Sequence, residues 1–287
     1  MTASGTAGHG AELGEYVDLS ALGAVVVKSL SAEPWEGNPP PRLHETPSGM
    51  LNSVGLQNPG VEAWIEHDLP ALVATGARVV ASIWGFSVEG YAKAAAMLAD
   101  TPSGVVAVEV NLSCPNVEER RHMFAHSASA TAEVVDATAP CRRPRWAKLS
   151  PNVTDITEIA AAALGAGAEA LTLVNTLMGM AVDPERSQLV LGAGGGGLSG
   201  PAIRPVAVRA VYECRQAFPD AAIVGVGGVG SGEDALEHLM AGADAVQVGT
   251  ATFFEPRAPL RIVRELGRWC RRHDVERVRD LRGAAHG

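Results

Sequence analysis

The sequence predicts an α/β fold, specifically a (β/α)8 barrel, and three observations carry that expectation. First, a short pattern recurs in which a helix end is followed by Gly-Ala and then an apolar run. It appears as LGAVVV (22–27), TGARVVASI (75–83), AGAEALTLV (166–174) and AGADAVQVG (241–249). Each glycine can take the left-handed conformation that ends a helix, and the run after it starts a buried strand. Second, the strands read as continuous apolar runs without polar alternation, as expected when both faces are covered. Periodicity alone leaves a doubly wound sheet and a barrel equally open. Third, the residues just past the strands are polar or glycine: Lys28-Ser29, Ser82, Asn111, Lys148, Asn175-Thr176, Gly227-Gly228 and Gly249-Thr250. In a barrel these meet at one C-terminal rim, whereas in an open sheet they spread along an edge. Convergence favours the barrel.

Along the chain, seven strands are predicted: the four runs above, Val105–Val110, Trp146–Leu149 and Ala222–Val226. Helical stretches fall near 61–75, 88–99, 154–165, 203–217, 233–241 and 257–272. Two connections are long. The segment 29–78 contains GNPPPR (37–42) and GMLNSVGLQNPG (49–60), and 176–221 contains GAGGGGLSG (192–200). Long loops on a compact scaffold are commonly lids or binding loops. At 287 residues the chain is expected to form a single barrel domain over 1–287.

A net charge of −9 disfavours nucleic acid as the main partner, because a phosphate backbone requires a basic footprint. No apolar run is long enough to span a bilayer, and MTASGTAGHG has neither the basic start nor the apolar centre of a signal peptide, so a cytoplasmic, non-membrane protein is expected. Cys114, Cys141, Cys214 and Cys270 form no C-x-x-C pair, so no zinc or iron–sulfur site is encoded locally. His122 and His126 have an i, i+4 spacing with no carboxylate between them and read as surface residues. The Arg-rich end, 267–283, reads as a solvated helix face.

The candidate site follows from the rim. Gly227, Gly228, Gly249 and Thr250 end the last two strands, where backbone N–H groups can hold a phosphate or simply make tight turns. Lys28 and Lys148 end strands and would face the rim cavity, as charge partners of an anionic ligand or, for a lysine in such a place, as a Schiff-base nucleophile. Asn52, Asn111, Asn116 and Asn175 offer donors and acceptors suited to a flat ligand with alternating carbonyl and N–H edges. A lone cysteine is more often a small buried apolar residue than a catalyst. Pro115, however, removes a donor and biases Cys114 toward an extended conformation, which places the thiol in a loop just past the strand.

These residues sit in motifs that resemble a known family. From about residue 3 to 265 the chain is similar to the flavin-dependent dihydroorotate dehydrogenases, in particular the soluble class 1 group whose partner subunit uses NAD. The motifs are ASGT (3–6), VVKSLS (26–31), EGNPPPR (36–42), PSGMLNSVGLQNPG (47–60), NLSCPN (111–116), KLSPNVTDI (148–156), LVNTLMGMAVD (173–183), GLSGPAIRPVA (197–207), VGVGGV (224–229) and VGTATF (248–253). The resemblance implies a (β/α)8 barrel with FMN at its rim, oxidising dihydroorotate to orotate in pyrimidine synthesis. It makes Cys114 the base that takes a proton from substrate C5 while hydride leaves C6. The membrane-linked group has serine there. It also implies that Asn52, Asn111, Asn116 and Asn175, with Thr176 nearby, hold the pyrimidine. Lys28 and the backbone at Gly55 and Leu56 would contact its polar groups. Lys148 would stand beside the flavin's pyrimidine edge, and Ala3, Ser4, Gly5, Lys28, Ser29, Asn111, Gly200, Gly227, Gly228, Gly249 and Thr250 would line FMN. The implied partner is an FAD and iron–sulfur subunit, in a heterotetramer built on a homodimer. This chain has no cysteine cluster of its own, so such a cluster would belong to the partner.

Two departures from the family pattern stand out. Family members carry most of the first barrel strand ahead of ASGT, but here Met1 and Thr2 stand directly before it, so strand one is expected to be largely missing, as from a start codon assigned too late. The loop after NLSCPN is VEERRHMFAH (117–126) where the family tends toward glycine, which is expected to alter closure over the substrate. Two other readings remain open: a Schiff-base aldolase using Lys148 on a phosphate-binding barrel, and a chain left inactive by its missing strand.

Overall fold

The computed structural model describes residues 1–113 and 123–287. In chain order its strands are β1 (Val25–Val26), β2 (Leu43–Thr46), β3 (Gly49–Asn52), β4 (Val79–Ile83), β5 (Val105–Asn111), β6 (Arg145–Leu149) and β7 (Ala170–Leu173). There follow β8 (Leu177–Gly179), β9 (Val182–Asp183), β10 (Gln188–Leu189), β11 (Gly196–Ser199), β12 (Ala222–Val226) and β13 (Ala245–Gln247). The helices are α1 (Val61–Ala63) and α2 (Leu69–Ala74), joined by a π-turn at Trp64–Asp68, then α3 (Val88–Met97), α4 (Ala128–Ala137) and α5 (Ile156–Gly165). The last four are α6 (Arg204–Ala217), α7 (Gly232–Ala241), α8 (Ala251–Phe254) and α9 (Ala258–Arg272). Four helices, α3, α4, α5 and α7, begin where the sequence supplies an acceptor: Ser87, Ser127, Asp155 and Ser231 each accept from a backbone N–H of the first turn.

Strands β1, β4, β5, β6, β7, β12 and β13 pair in that order as one parallel sheet, so the seven predicted strands are the seven observed. The eighth position carries only Met1–Ala3. Ala3 N–H donates to Val248 O at 2.9 Å and Val248 N–H to Met1 O at 2.9 Å, while Thr2 N–H reaches Ala24 O at 3.3 Å. The Thr2 hydroxyl then does what a strand backbone would do, accepting from Val26 N–H at 2.9 Å and donating to Val26 O at 3.3 Å. Three residues thereby bridge β13 and β1. Thr2 is fully buried, so Thr2→Val should strip a buried N–H of its acceptor and lower stability by about 1–3 kcal/mol, with Thr2→Ser close to wild type. Urea unfolding of the two variants checks this, and equal midpoints would rule out the hydroxyl's role.

The strands are not uniformly apolar, which corrects one premise of the sequence reading. Residues facing the helices, such as Val25, Ala81, Val108, Ala147 and Leu171, join the main core. Their alternates face the barrel interior, where Ala24, Val26, Val80 and Ala107 form a separate apolar floor. Above that floor Ser82, Glu109, Lys148, Thr172 and Gln247 are all buried. Two-sided coverage hides the alternation because the interior is itself closed to water, so a few polar residues there look like interruptions of an apolar run.

The two long connections are also not loops throughout. β2, β3, β11 and β8 form a four-stranded antiparallel sheet in that order, in which 196–199 pairs with 49–52 on one side and 177–179 on the other. Much of the glycine run at 192–200 is therefore strand: bare backbone is needed where a Cβ on Gly196 would strike Asn52 O and one on Gly197 would strike Thr176 Oγ1. At the C-terminus, α9 stops at Arg272, so the expected helix face over 267–283 ends early. Asp274 adopts φ 52°, after which Leu281 packs on Leu236 and Cys270, and Arg282 pairs with Asp244 at 2.7 Å.

Candidate active site

The C-terminal ends of the barrel strands bring most of the predicted residues together. At the end of β5, the Asn111 amide donates to Ser29 Oγ at 3.2 Å and accepts from Asn175 Nδ2 at 3.1 Å and from Ser113 N–H at 3.2 Å. Ser29 in turn meets Ser82 Oγ at 2.9 Å, and the Tyr91 hydroxyl fixes the Asn111 backbone by donating to its carbonyl at 2.6 Å. Four strand ends, β1, β4, β5 and β7, are thus tied by side-chain amides and hydroxyls. Such a network holds each amide in one orientation, a requirement for reading the edge of a flat polar ligand.

The antiparallel sheet brings the next group. Asn52 on β3 lies opposite Gly197 and donates to its carbonyl at 3.2 Å, and Thr176 packs on the same glycine. Asn152 fastens this corner, donating to Thr176 O at 2.9 Å and accepting from Met178 N–H at 2.8 Å. Gly55 and Leu56 form a turn with φ 73° and 64°, held by Trp35 Nε1–H to Gly55 O at 3.0 Å and Asn58 Nδ2–H to Leu56 O at 2.9 Å. A leucine in that conformation is strained and persists only because its surroundings fix it. Asn58 ties this turn to Ser31, two residues beyond Ser29. Cys114 and Asn116, with His122 and most of the 117–126 loop, lie outside the described residues.

The two lysines differ. Lys28 is half-buried, and its ammonium has no hydrogen-bond partner among the described residues. Desolvation, then the charge of Arg42, push its pKa below the ordinary lysine value. A partly dehydrated cation of this kind is a place for an anionic group. Lys148 is buried: its Nζ donates to Ser4 Oγ at 3.0 Å and to Glu109 Oε1 at 3.4 Å. An ammonium held by a carboxylate and a hydroxyl is poorly suited to Schiff-base chemistry, which needs a free amine lone pair.

At the ends of β12 and β13, Gly227 and Gly228 take φ 128° and 73°, and a Cβ on either would run into Ala207 or Arg204. The N–H groups of Gly228, Gly249 and Thr250 donate to no other described residue. Gly200, at φ 94°, lies against Thr250, whose hydroxyl donates to Ser199 Oγ at 2.7 Å, so the glycines predicted from separate motifs share one cradle. Unfilled backbone donors beside bare glycine fit an anionic group such as a phosphate. Ala3, Ser4 and Gly5 close the same end: Ala3 bonds Val248, Ser4 bonds Lys148, and the Gly5 Cα–H faces Lys28 Nζ.

Beneath the cradle is a residue that the sequence reading passed over. His238 on α7 is fully buried, its Nε2–H donating to Gly227 O at 3.0 Å, and Gly225 makes room for the ring. Burial pushes its pKa down to about 4. The folded state thus keeps a neutral ring that the unfolded chain would protonate near pH 6.5. Its stabilising contribution is complete above about pH 6.5 and is lost as pH falls through about 4, by up to roughly 3 kcal/mol. Melting temperatures from pH 7.5 to 4.5 should fall more steeply for wild type than for His238→Gln; parallel profiles would refute this.

Glu109, Gln247 and Asn152 were likewise missed as site residues, and Ser82, expected at the rim, was given no role there. Glu109 alone carried a signal, a single carboxylate inside VVAVEVN. Among the described residues, no helix is long and apolar enough to cross a membrane, and no three His, Cys, Asp or Glu side chains are grouped to hold a metal ion.

The dihydroorotate dehydrogenase family model matches residues 1–269. A protein of Geobacter sp. (strain M21) named dihydroorotate dehydrogenase B (NAD(+)), catalytic subunit, is 48% identical over 99% of this chain and 93% of its own. A protein of the same name from Desulforudis audaxviator (strain MP104C) is 49% identical over 100% of this chain and 93% of its own. A third, from Solibacter usitatus (strain Ellin6076), is 48% identical over 99% of this chain and 93% of its own and carries a provisional name of the dihydroorotate dehydrogenase A (fumarate) type. The family's cofactor is FMN, which the unfilled donors of the cradle and the buried Lys148 ammonium suit. With a match of this length on a barrel whose strand ends converge as described, the chain belongs to the dihydroorotate dehydrogenase family.

Proposed function

We propose that this chain oxidises (S)-dihydroorotate to orotate, the redox step of pyrimidine synthesis in the cytoplasm, with electrons leaving to NAD through a separate subunit. The observation that carries the reading is the Asn111–Asn175–Ser29 network on the rim of a barrel matched by the family along nearly its whole length. Asn52, Asn111, Asn116 and Asn175 hold the pyrimidine by its carbonyl and N–H edges, with Thr176 beside them. Lys28 and the backbone of Gly55 and Leu56 take the polar and carboxylate groups. Cys114 removes the proton from C5, and donors at the C4 carbonyl stabilise the negative charge that develops there, so the thiolate need not be strongly basic.

FMN, when bound, would supply the acceptor for the hydride from C6. Gly228, Gly249 and Thr250 supply backbone donors for its phosphate, and Gly200 and Gly227 leave room for it. Ala3, Ser4, Gly5, Lys28, Ser29 and Asn111 would line FMN, with Lys148 as a fixed positive charge. The word "subunit" in the relatives' names supports a separate partner, here an FAD and iron–sulfur protein in a heterotetramer. One relative carries a fumarate-type name, so the acceptor is settled by assay with the partner present.

Anaerobic mixing with dihydroorotate tests the reading. The purified protein, supplied with FMN, should show a flavin band that bleaches as orotate forms. A protein that takes up no FMN, or whose flavin does not bleach, would overturn it, and a borohydride-trapped adduct on Lys148 would favour aldolase chemistry instead.

A further inference from the structure

The barrel interior holds an ion pair that the roles above do not use. Glu109 is fully buried in the middle of β5, two residues before Asn111. Its Oε1 accepts from Lys148 Nζ at 3.4 Å and its Oε2 from Gln247 Nε2 at 2.7 Å, across residue separations of 39 and 138. Lys148 has a side chain 5% exposed, and among the described residues Glu109 is its only acidic contact. Below the pair is the apolar floor of Ala24, Val26, Val80 and Ala107. The charges therefore sit in the buried barrel interior, above an apolar floor.

Burying a carboxylate and an ammonium is unfavourable unless each is satisfied, and such pairs often add little to stability. A barrel core filled with apolar residues would be the simpler structure. The pair must then be weighed by what it does at the rim. Lysine has a flexible four-carbon stem, and a carboxylate beneath it, with Ser4 Oγ at 3.0 Å, confines the ammonium to one place. The carboxylate also offsets part of the positive field that the ammonium projects upward.

We infer that Glu109 is a positioning residue for the flavin: through Lys148 it fixes and moderates the positive charge beside the flavin's pyrimidine edge, and so sets how readily the bound flavin is reduced. The inference rests on the reading that Lys148 faces the flavin. Gln247 orients the carboxylate by donating to the oxygen that Lys148 does not use.

Glu109→Gln removes the counter-charge and keeps the shape. The ammonium then acts uncompensated on the anionic reduced flavin, so the ratio of reduced to oxidised flavin in equilibrium with a reference dye should rise on the order of tenfold, the effect of one unit charge at an effective dielectric constant near 20. Glu109→Asp, which keeps the charge, should remain near wild type. Lys148→Met should shift the ratio the other way. If Glu109→Gln yields no folded flavoprotein, Lys148→Met/Glu109→Gln is compared with Lys148→Met. That double variant buries no unpaired charge, and at a pH of about 10, where even a carboxylate stranded without its ammonium is ionised, its ratio should exceed that of the single by about the same factor. An unchanged ratio in Glu109→Gln, or equal ratios in the double and single Lys148 variants, overturns the inference. A Lys148→Met protein with an unaltered ratio instead overturns the underlying placement of Lys148, so the two failures are distinguishable. A purely structural Glu109 would change stability and leave the dye equilibrium where it was.

Discussion

Cys114→Ser should retain FMN and slow flavin reduction by dihydroorotate by about 10²- to 10⁴-fold, the range expected for loss of a general base. The argument is one of acidity. A thiol with a pKa near 8.5 is partly ionised at neutral pH, whereas a serine hydroxyl is not. The rate in wild type should accordingly climb with pH and level off once the thiolate predominates, while the serine variant keeps climbing. Anaerobic stopped-flow traces of the flavin band at several pH values measure both features. Unchanged rates, or a variant that levels off at the same pH as wild type, would remove Cys114 as the base.

Asn111→Ala should lower kcat/KM for dihydroorotate by about 10²- to 10³-fold, comparable to losing a donor aimed at developing charge. More is lost than one contact. The amide accepts from Asn175 at 3.1 Å and donates to Ser29 at 3.2 Å, so its removal takes a hydrogen-bond partner from two other rim side chains at once. Folding should survive, because the Tyr91 hydroxyl bonds the main-chain carbonyl, which alanine keeps. Flavin content per chain and kcat/KM, measured together, separate the outcomes. Full activity with normal flavin content would show that the network does not hold substrate.

The barrel was legible because its signals are local. Gly-Ala followed by a β-branched run specifies a helix end and a strand within a few residues, and those strands pair as expected. The antiparallel sheet was not legible because its strands carry no such signature. LHET is half exposed, GGLS is half glycine, and GGLS pairs with GMLN across about 145 positions. Glu109 was hidden for a related reason. One charge in VVAVEVN reads as a flaw in an apolar strand until Lys148 and Gln247, remote in sequence, are seen beside it. Cys114 gained its meaning from the NLSCPN motif as a whole, since a single cysteine carries no such message.

The sheet that brings Asn52 to Gly197 has a consequence for the order in which the site is assembled. Its strands come from opposite halves of the chain, so organising the intervening barrel strands first shortens the loop that β3 and β11 must close, and their pairing is expected late in folding. The same sheet is half-exposed and not part of the main core. It should open as its own cooperative unit, with amides of β2, β3 and β11 exchanging well before those of β5 and β6. Asn52 and Thr176 would then come and go with the sheet, while Asn111 and Lys148 stay in place.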